Sequence, residues 1–196
     1  MKLSILIATV IERADKFANL FNAFSYEINY YQLNNEVEVI SICDNKQLSI
    51  GAKRQQLLER ASGKWIVFFD DDDIPAYNYC QLILNAIADD VDCIGINGTM
   101  TTNGYNPQTW CHKLGEVWRD GKSFETFTYY RPIIHFNPVL RSKALQAGFN
   151  DMRYGEDRDY SDRLNPLLTK SNYISEPLFH YNYSNKQPHK LKYGIK

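Results

Sequence analysis

The first half of the chain alternates short apolar runs with segments of helical periodicity. The apolar runs predict strands at residues 3–8, 37–43, 65–69 and 91–96. The intervening segments predict helices at residues 14–28, 50–61 and 77–88. Strands that alternate with helices form parallel sheets covered on both faces. The sequence therefore predicts an α/β fold, with a doubly wound and mostly parallel sheet.

The pattern changes from about residue 97 onward. Gly, Thr, Asn and Pro cluster at residues 99–107, an apolar stretch follows at 133–140, and a helix is predicted at 156–168. We find neither an internal repeat nor a flexible linker. We expect an irregular second half that shares one core with the first, so that residues 1–196 form a single domain.

Composition and charge are those of an ordinary globular protein. The formal net charge of −1 gives no global attraction to nucleic acid or to an anionic membrane. The one basic patch is the C-terminal tail, which suits a solvated terminus better than a binding surface. Its members are Lys186, His189, Lys190, Lys192 and Lys196.

The cysteines and the lengths of the apolar runs indicate in which cellular compartment the protein resides. Four cysteines without a CxxC pair argue against a zinc site or a disulfide scaffold, so we expect a reducing, cytoplasmic environment. No stretch approaches the roughly 20 apolar residues of a membrane span. We therefore expect no integral membrane segment, and a membrane-bound partner would be met from the cytosolic face.

Four consecutive carboxylates, Asp70, Asp71, Asp72 and Asp73, follow the apolar run WIVFF. Adjacent like charges at a strand end repel each other, and a divalent cation removes that cost. Their hard oxygen atoms suit Mg²⁺ or Mn²⁺. A metal ion held by one or two carboxylates keeps coordination positions free for substrate phosphates. Ligands of open α/β sheets bind at this end of the strands. The alternative is a solvated loop in which one Asp caps the next helix.

A second acidic segment, GEDRDYSDRL, occupies residues 155–164. Its acids could serve as a general base and its supporting groups. Alternatively, they are acids favoured by the dipole at a helix N-terminus, on an exposed charged face.

The order of these pieces resembles family 2 glycosyltransferases of the GT-A fold. The matching segments are ILIATVIER, a strand ending in Asp44, GAKRQQLLERASGKWIVFFDDDDIP and GEDRDYSDRL. The resemblance is strongest at residues 51–75 and 155–164. The sequence differs from the usual family pattern at Ala8 (usually Pro), at Val10 and Ile11 (usually Tyr-Asn) and at Gln55 (usually Asn).

The resemblance implies metal-dependent transfer, with inversion, from a nucleoside-diphosphate sugar, commonly UDP-linked, to an acceptor hydroxyl. Residues 1–98 would bind the donor and residues 99–196 the acceptor. The acidic run falls on the DxD pattern, with Mn²⁺ or Mg²⁺ as cofactor. The implied donor-binding residues are Thr9, Asp44, Arg54, Asp70 and Asp71, and the implied metal ligands are Asp72 and Asp73.

In this resemblance Asp157 matches the general base, and Glu156 lies beside it on the acceptor side. His180 is a candidate metal ligand or phosphate contact, or else a core or surface histidine. His135 is a candidate for the acceptor wall, or else a buried structural histidine.

Two other functional classes remain open from the sequence. A nucleotidyltransferase would be expected to carry a Gly-rich phosphate loop after the first strand, and residues 9–16 contain no glycine. A non-catalytic nucleotide- or carbohydrate-binding module would keep the fold without the chemistry. The acceptor is expected to be a glycan, with a small molecule, a protein or a hydroxymethylated base of viral DNA as alternatives.

Overall fold

The structure is a computed structural model that describes residues 1–184. Its strands are β1 (Leu3–Val10), β2 (Val37–Asp44), β3 (Trp65–Phe68), β4 (Ile74–Pro75), β5 (Cys93–Thr102), β6 (Tyr105–His112), β7 (Arg119–Asp120), β8 (Tyr129–Arg131), β9 (Val139–Leu140) and β10 (Ser171–Tyr183). Its α-helices are α1 (Ala14–Tyr30), α2 (Ile50–Arg60), α3 (Tyr79–Ala86), α4 (Arg141–Ala147) and α5 (Glu156–Leu164). Short 3₁₀ turns cover Ile11–Arg13 and Asn165–Leu167.

All of these strands belong to one sheet. Strand β1 pairs in parallel with β2 and with β3. The short β9 runs antiparallel to both β3 and β5, and β10 lies parallel to β5 along most of its length. Strands β1, β2, β3, β5 and β10 therefore all point the same way. This confirms the predicted mixed α/β fold with a mostly parallel central sheet.

Helices cover both faces of the sheet because the strand side chains alternate between two cores. Ile5 and Ile7 of β1 belong to a core that also contains Phe24 of α1. Leu6 points to the opposite face, where it joins the core that contains Leu57 of α2. The continuous apolar runs of β1 and β3 are thus buried on both sides, as parallel strands require.

The segment around residues 99–107 is more regular than the sequence predicted. Strands β5 and β6 form a hairpin whose ladder runs from Ile96 opposite His112 to Thr102 opposite Tyr105. Its two turn residues, Asn103 and Gly104, have φ of 52° and 81°. Asn-Gly is the favoured pair for a two-residue turn with both φ values positive, because neither residue is strained there.

Other boundaries also shift. The predicted strand at 91–96 begins two residues later and extends to Thr102. In the apolar stretch 133–140 only Val139–Leu140 is a strand. Helix α5 ends at Leu164, and Pro166 follows in a 3₁₀ turn because proline has no backbone N–H to continue the helix.

Within residues 1–184, no helix is both long enough and apolar enough to cross a bilayer. The basic tail from Lys186 to Lys196 lies outside the described residues.

Candidate active site

The acidic run lies in the turn after β3, next to the end of β1. The Thr9 hydroxyl donates a hydrogen bond to Asp71 Oδ2 at 2.5 Å. Asp71 and Asp73 are buried, whereas Asp70 and Asp72 are partly exposed. The structure therefore brings together Thr9 and the four acids, as the predicted strand ends require.

Two cations at the start of the first helical segment face this run. Arg13 Nη1 lies 3.0 Å from Asp71 Oδ1, and the guanidinium also pairs with the Asp72 carboxylate. Lys16 Nζ is 3.7 Å from Asp72 Oδ2. The sequence analysis assigned no role to Arg13. Its position three residues after the end of β1 could have indicated that it lies near the acidic run. Side-chain cations thus neutralise part of the acidic run.

Asp44, at the end of β2, accepts a hydrogen bond from the backbone N–H of Leu48 at 2.7 Å and pairs with Lys53. Desolvation alone would raise the pKa of Asp44, but the Lys53 ammonium and the Leu48 N–H outweigh it, so this pKa lies below its usual value. Lys53 is only 3% exposed and also donates to the Thr9 carbonyl at 2.7 Å. Lys53 was not predicted, although a lysine on the buried face of a helix is unusual enough to indicate a buried partner.

A cavity of about 200 Å³ opens beside this group. Thr9, Arg13, Lys53 and Arg153 are among its lining residues. The cavity is thus lined by side-chain cations and by the end of β1, which suits an anionic or polar ligand.

Arg54 joins the two acidic motifs. Arg54 is 4% exposed, and its guanidinium donates to Asp70 Oδ1 at 3.0 Å and to Glu156 Oε1 at 2.8 Å. Burial raises the pKa of Glu156 and of Asp70, and the Arg54 charge opposes both shifts. Glu156 therefore contacts Arg54 and positions the start of α5 against the acidic run.

Asp73 lies against the last strand, β10, which carries His180. Asp73 Oδ1 accepts from the Asn182 N–H at 3.0 Å, while its buried Oδ2 has no hydrogen-bond partner among residues 1–184. Burial raises the pKa of Asp73 to about 9, and Asp70 adds to the rise. Both ring nitrogens of His180 lie at hydrogen-bond distance from threonine hydroxyls, Nδ1 from Thr99 at 2.8 Å and Nε2 from Thr101 at 2.9 Å.

In the described part of the chain, no three His, Cys, Asp or Glu side chains are grouped so as to hold a metal ion. Asp72 and Asp73 remain adjacent at the acidic run, whereas His180 is engaged by its two threonines. The metal-binding role of His180 stays a prediction.

Asp157 lies in the first turn of α5, two residues after Gly155, whose φ of 78° starts the helix from a left-handed residue. It lines a cavity of about 590 Å³. The aromatic residues of the same wall are Trp110, Trp118, Tyr129, Phe136, Tyr181 and Tyr183. Tyr183 also lines the cavity at Asp71, Asp72 and Asp73, so the two cavities are neighbours.

His135 is 3% exposed and packs against the rings of Phe68 and Phe136, with centroid distances of 6.5 and 3.9 Å. Neither ring nitrogen has a partner among the described residues, and burial holds the pKa of His135 well below its usual value. Ile134 and Phe136 line the aromatic cavity on either side of it. The acceptor-side role of His135 stays a prediction.

Solved structures of glycosyltransferases share this fold. The chain matches S. aureus TarS in complex with UDP-GlcNAc with a TM-score of 0.61 and 14% identity, over 95% of this chain and 60% of that one. It matches a mutant of Drosophila β1,4-galactosyltransferase 7, in complex with manganese, UDP-Gal and xylobiose, with a TM-score of 0.53 and 10% identity, over 98% of this chain and 74% of that one.

Sequence comparison agrees with the fold. The chain is 22% identical over 165 residues to the putative glycosyltransferase EpsH of Bacillus subtilis, and spans 46% of the length of that protein. Residues 28–149 match the model for glycosyl transferase family 2. That match covers more than half of the 196 residues and includes Asp44, Arg54 and the acidic run, so the chain belongs to glycosyl transferase family 2.

Proposed function

We propose that this chain transfers a sugar from a nucleoside-diphosphate sugar, most simply a UDP-sugar, to a hydroxyl group of a glycan acceptor, with inversion. The observation that carries the proposal is the Arg54 guanidinium, which binds Asp70 of the acidic run and Glu156 beside Asp157. One buried side chain thereby ties the donor-side acids to the helix that bears the candidate base.

The donor is proposed to bind along the ends of β1, β2 and β3. The lowered pKa of Asp44 keeps its carboxylate ionised and able to accept hydrogen bonds from the N–H groups of a base. Arg13 and Lys53 line the adjoining cavity and supply positive charge for a diphosphate. The UDP-GlcNAc complex of TarS, which shares the fold, supports a UDP-linked donor.

A divalent cation is proposed to join the donor at Asp72 and Asp73. These two residues suit Mn²⁺ or Mg²⁺ as metal ligands, since both offer carboxylate oxygens and the buried Asp73 Oδ2 has no hydrogen-bond partner among the described residues. When bound, such an ion supplies Lewis-acid stabilisation of charge on the leaving diphosphate. Arg13, which pairs with Asp72 here, would have to yield part of that carboxylate.

The acceptor is proposed to occupy the aromatic cavity beside Asp157. Aromatic rings offer flat apolar faces on which the C–H face of a sugar can stack, while the rim groups bind its hydroxyls. As the new glycosidic bond forms, the attacking hydroxyl must lose its proton, and the Asp157 carboxylate is placed to accept it. Transfer in a single displacement inverts the anomeric centre.

A thermal-shift screen tests this function. Nucleotide sugars would be added with and without Mn²⁺, because a ligand at about 100 times its Kd stabilises the folded state by about 2.7 kcal/mol. We expect a UDP-sugar to raise Tm more strongly with Mn²⁺, and to release UDP once an acceptor is supplied. A screen in which no nucleotide sugar raises Tm would contradict the proposal. Donor binding without any release of nucleotide would point to the non-catalytic module instead.

A further inference from the structure

His112 is a residue of the aromatic cavity that the mechanism above does not use. It is the last residue of β6, pairs with Ile96 across the hairpin, and lines the cavity together with Asp157. Its ring lies 4.6 Å, between centroids, from that of Trp110. It is therefore a polar side chain in a largely aromatic wall.

The neighbouring Asn137 amide has a fixed orientation. It is fully buried, its Oδ1 accepts from the Ile134 N–H at 3.0 Å, and its Nδ2 donates to the Ile94 carbonyl at 2.9 Å. If the amide were flipped, its NH₂ group would face the Ile134 N–H and its oxygen would face the Ile94 carbonyl, so that both hydrogen bonds would be lost. Asn137 therefore presents an oxygen to His112.

That oxygen determines the tautomer of His112. Nδ1 lies 3.2 Å from Asn137 Oδ1, and an oxygen acceptor requires a proton on Nδ1. Burial lowers the pKa of His112 to about 3, with Arg131 adding to the effect, so the ring is neutral at pH 7. A neutral ring with its proton on Nδ1 has a lone pair on Nε2.

No residue from 1 to 184 forms a hydrogen bond with this Nε2. His112 as a whole is 6% exposed, and the space that it borders is the aromatic cavity. His180 differs, since threonine hydroxyls face both of its ring nitrogens.

We propose that His112 Nε2 accepts a hydrogen bond from a hydroxyl of the sugar acceptor, so that the cavity selects a hydroxyl donor at that position. The proposal rests on the proposed function, because it takes the aromatic cavity as the acceptor site. It assigns His112 to acceptor recognition and leaves proton removal to Asp157.

Long-range ¹H–¹⁵N correlation spectra of the ¹⁵N-labelled protein at pH 7 test the first step. We expect His112 to show a protonated Nδ1 and an unprotonated Nε2. The opposite tautomer, or a cationic ring, would overturn the proposal.

Titration of the same sample tests the second step. The probes are methyl β-D-glucopyranoside, methyl β-D-galactopyranoside and methyl N-acetyl-β-D-glucosaminide. We expect at least one probe to move the Nε2 resonance of His112 together with the indole signals of Trp110 and Trp118. The proposal is overturned if the indole signals move without Nε2, or if no probe moves Nε2.

Matched substitutions separate recognition from packing. In His112→Asn the amide can still donate to Asn137 but has no group at the Nε2 position, whereas in His112→Gln the side chain reaches that position. We expect His112→Asn to weaken probe binding about three- to tenfold, the worth of one hydrogen bond, and His112→Gln to recover part of it. Unchanged probe affinity in His112→Asn would overturn the proposal. Binding of UDP with Mn²⁺, measured separately, reports on the proposed function itself.

Discussion

Arg54 and Glu156 lie 102 positions apart in the chain, and the Arg54 guanidinium donates a hydrogen bond to the Glu156 carboxylate at 2.8 Å. The same guanidinium binds Asp70 at 3.0 Å and is almost completely buried. Through this pair, helix α5 is held against the acidic run, with Asp157 next in sequence to Glu156. One buried cation therefore contacts both the acidic run and the helix that carries the candidate base.

Arg54→Met is expected to lower the free energy of unfolding by about 3–5 kcal/mol, because it leaves the buried Glu156 carboxylate and the partly exposed Asp70 carboxylate without their cation. Urea denaturation followed by circular dichroism measures this. Arg60→Met on the same helix is the matched control, since Arg60 is exposed and its loss should change stability by no more than about 0.5 kcal/mol. Equal effects of the two substitutions would show that Arg54 does not hold the two motifs together.

Asp157→Asn is expected to bind the donor normally and to transfer sugar about 10²- to 10⁴-fold more slowly, since the amide cannot accept the hydroxyl proton. Release of UDP in the presence of acceptor measures transfer. Asp162→Asn is the control on the same helix, with a side chain that is 65% exposed. Asp157 is not the base if its variant keeps near-normal transfer.

Arg13→Gln is expected to tighten Mn²⁺ binding to the donor-free protein by about two- to fivefold, the range of a partly exposed ion pair. The reason is that Arg13 and the metal compete for the Asp72 carboxylate. Titration calorimetry of MnCl₂ measures the change, with Lys2→Gln as a control that removes an exposed lysine paired with Glu36. Unchanged or weaker Mn²⁺ binding would argue against that competition.

His112 should make the protein sensitive to acid. Its pKa falls from 6.5 to about 3 on burial, so between these values the unfolded chain binds a proton that the folded protein does not. The stability contributed by a neutral His112 is present above pH 6.5 and is lost as the pH falls toward 3. The wild type should therefore lose up to about 1.4 kcal/mol per pH unit more than His112→Asn over this window. Parallel pH profiles from urea denaturation would contradict the buried neutral ring.

The sequence was most informative where one local property determines the structure. The runs that became β1 and β3 are continuously apolar because both of their faces are buried, and their ends place Thr9 and the acidic run. The stretch 133–140 shows the limit of this signal. It is buried but mostly not a strand, since apolar character reports burial and not backbone conformation.

Contacts between distant segments could not be read in the same way. Lys53 pairs with Asp44 and Arg13 with Asp72, and neither pairing follows from a period or a motif. The tautomer of His112 depends on Asn137, whose own bonds come from two further segments. The β5–β6 hairpin is different, because Asn103-Gly104 is a local signal that predicts such a turn.

The proposed function requires the acidic run to hold a metal-bound nucleoside diphosphate. Calorimetric titration of UDP into the wild type and into Asp72→Asn, each with and without Mn²⁺, tests it most directly. We predict that Mn²⁺ strengthens UDP binding to the wild type and has no such effect on Asp72→Asn. Equal Mn²⁺-dependent affinity for UDP in the two proteins would contradict the claim.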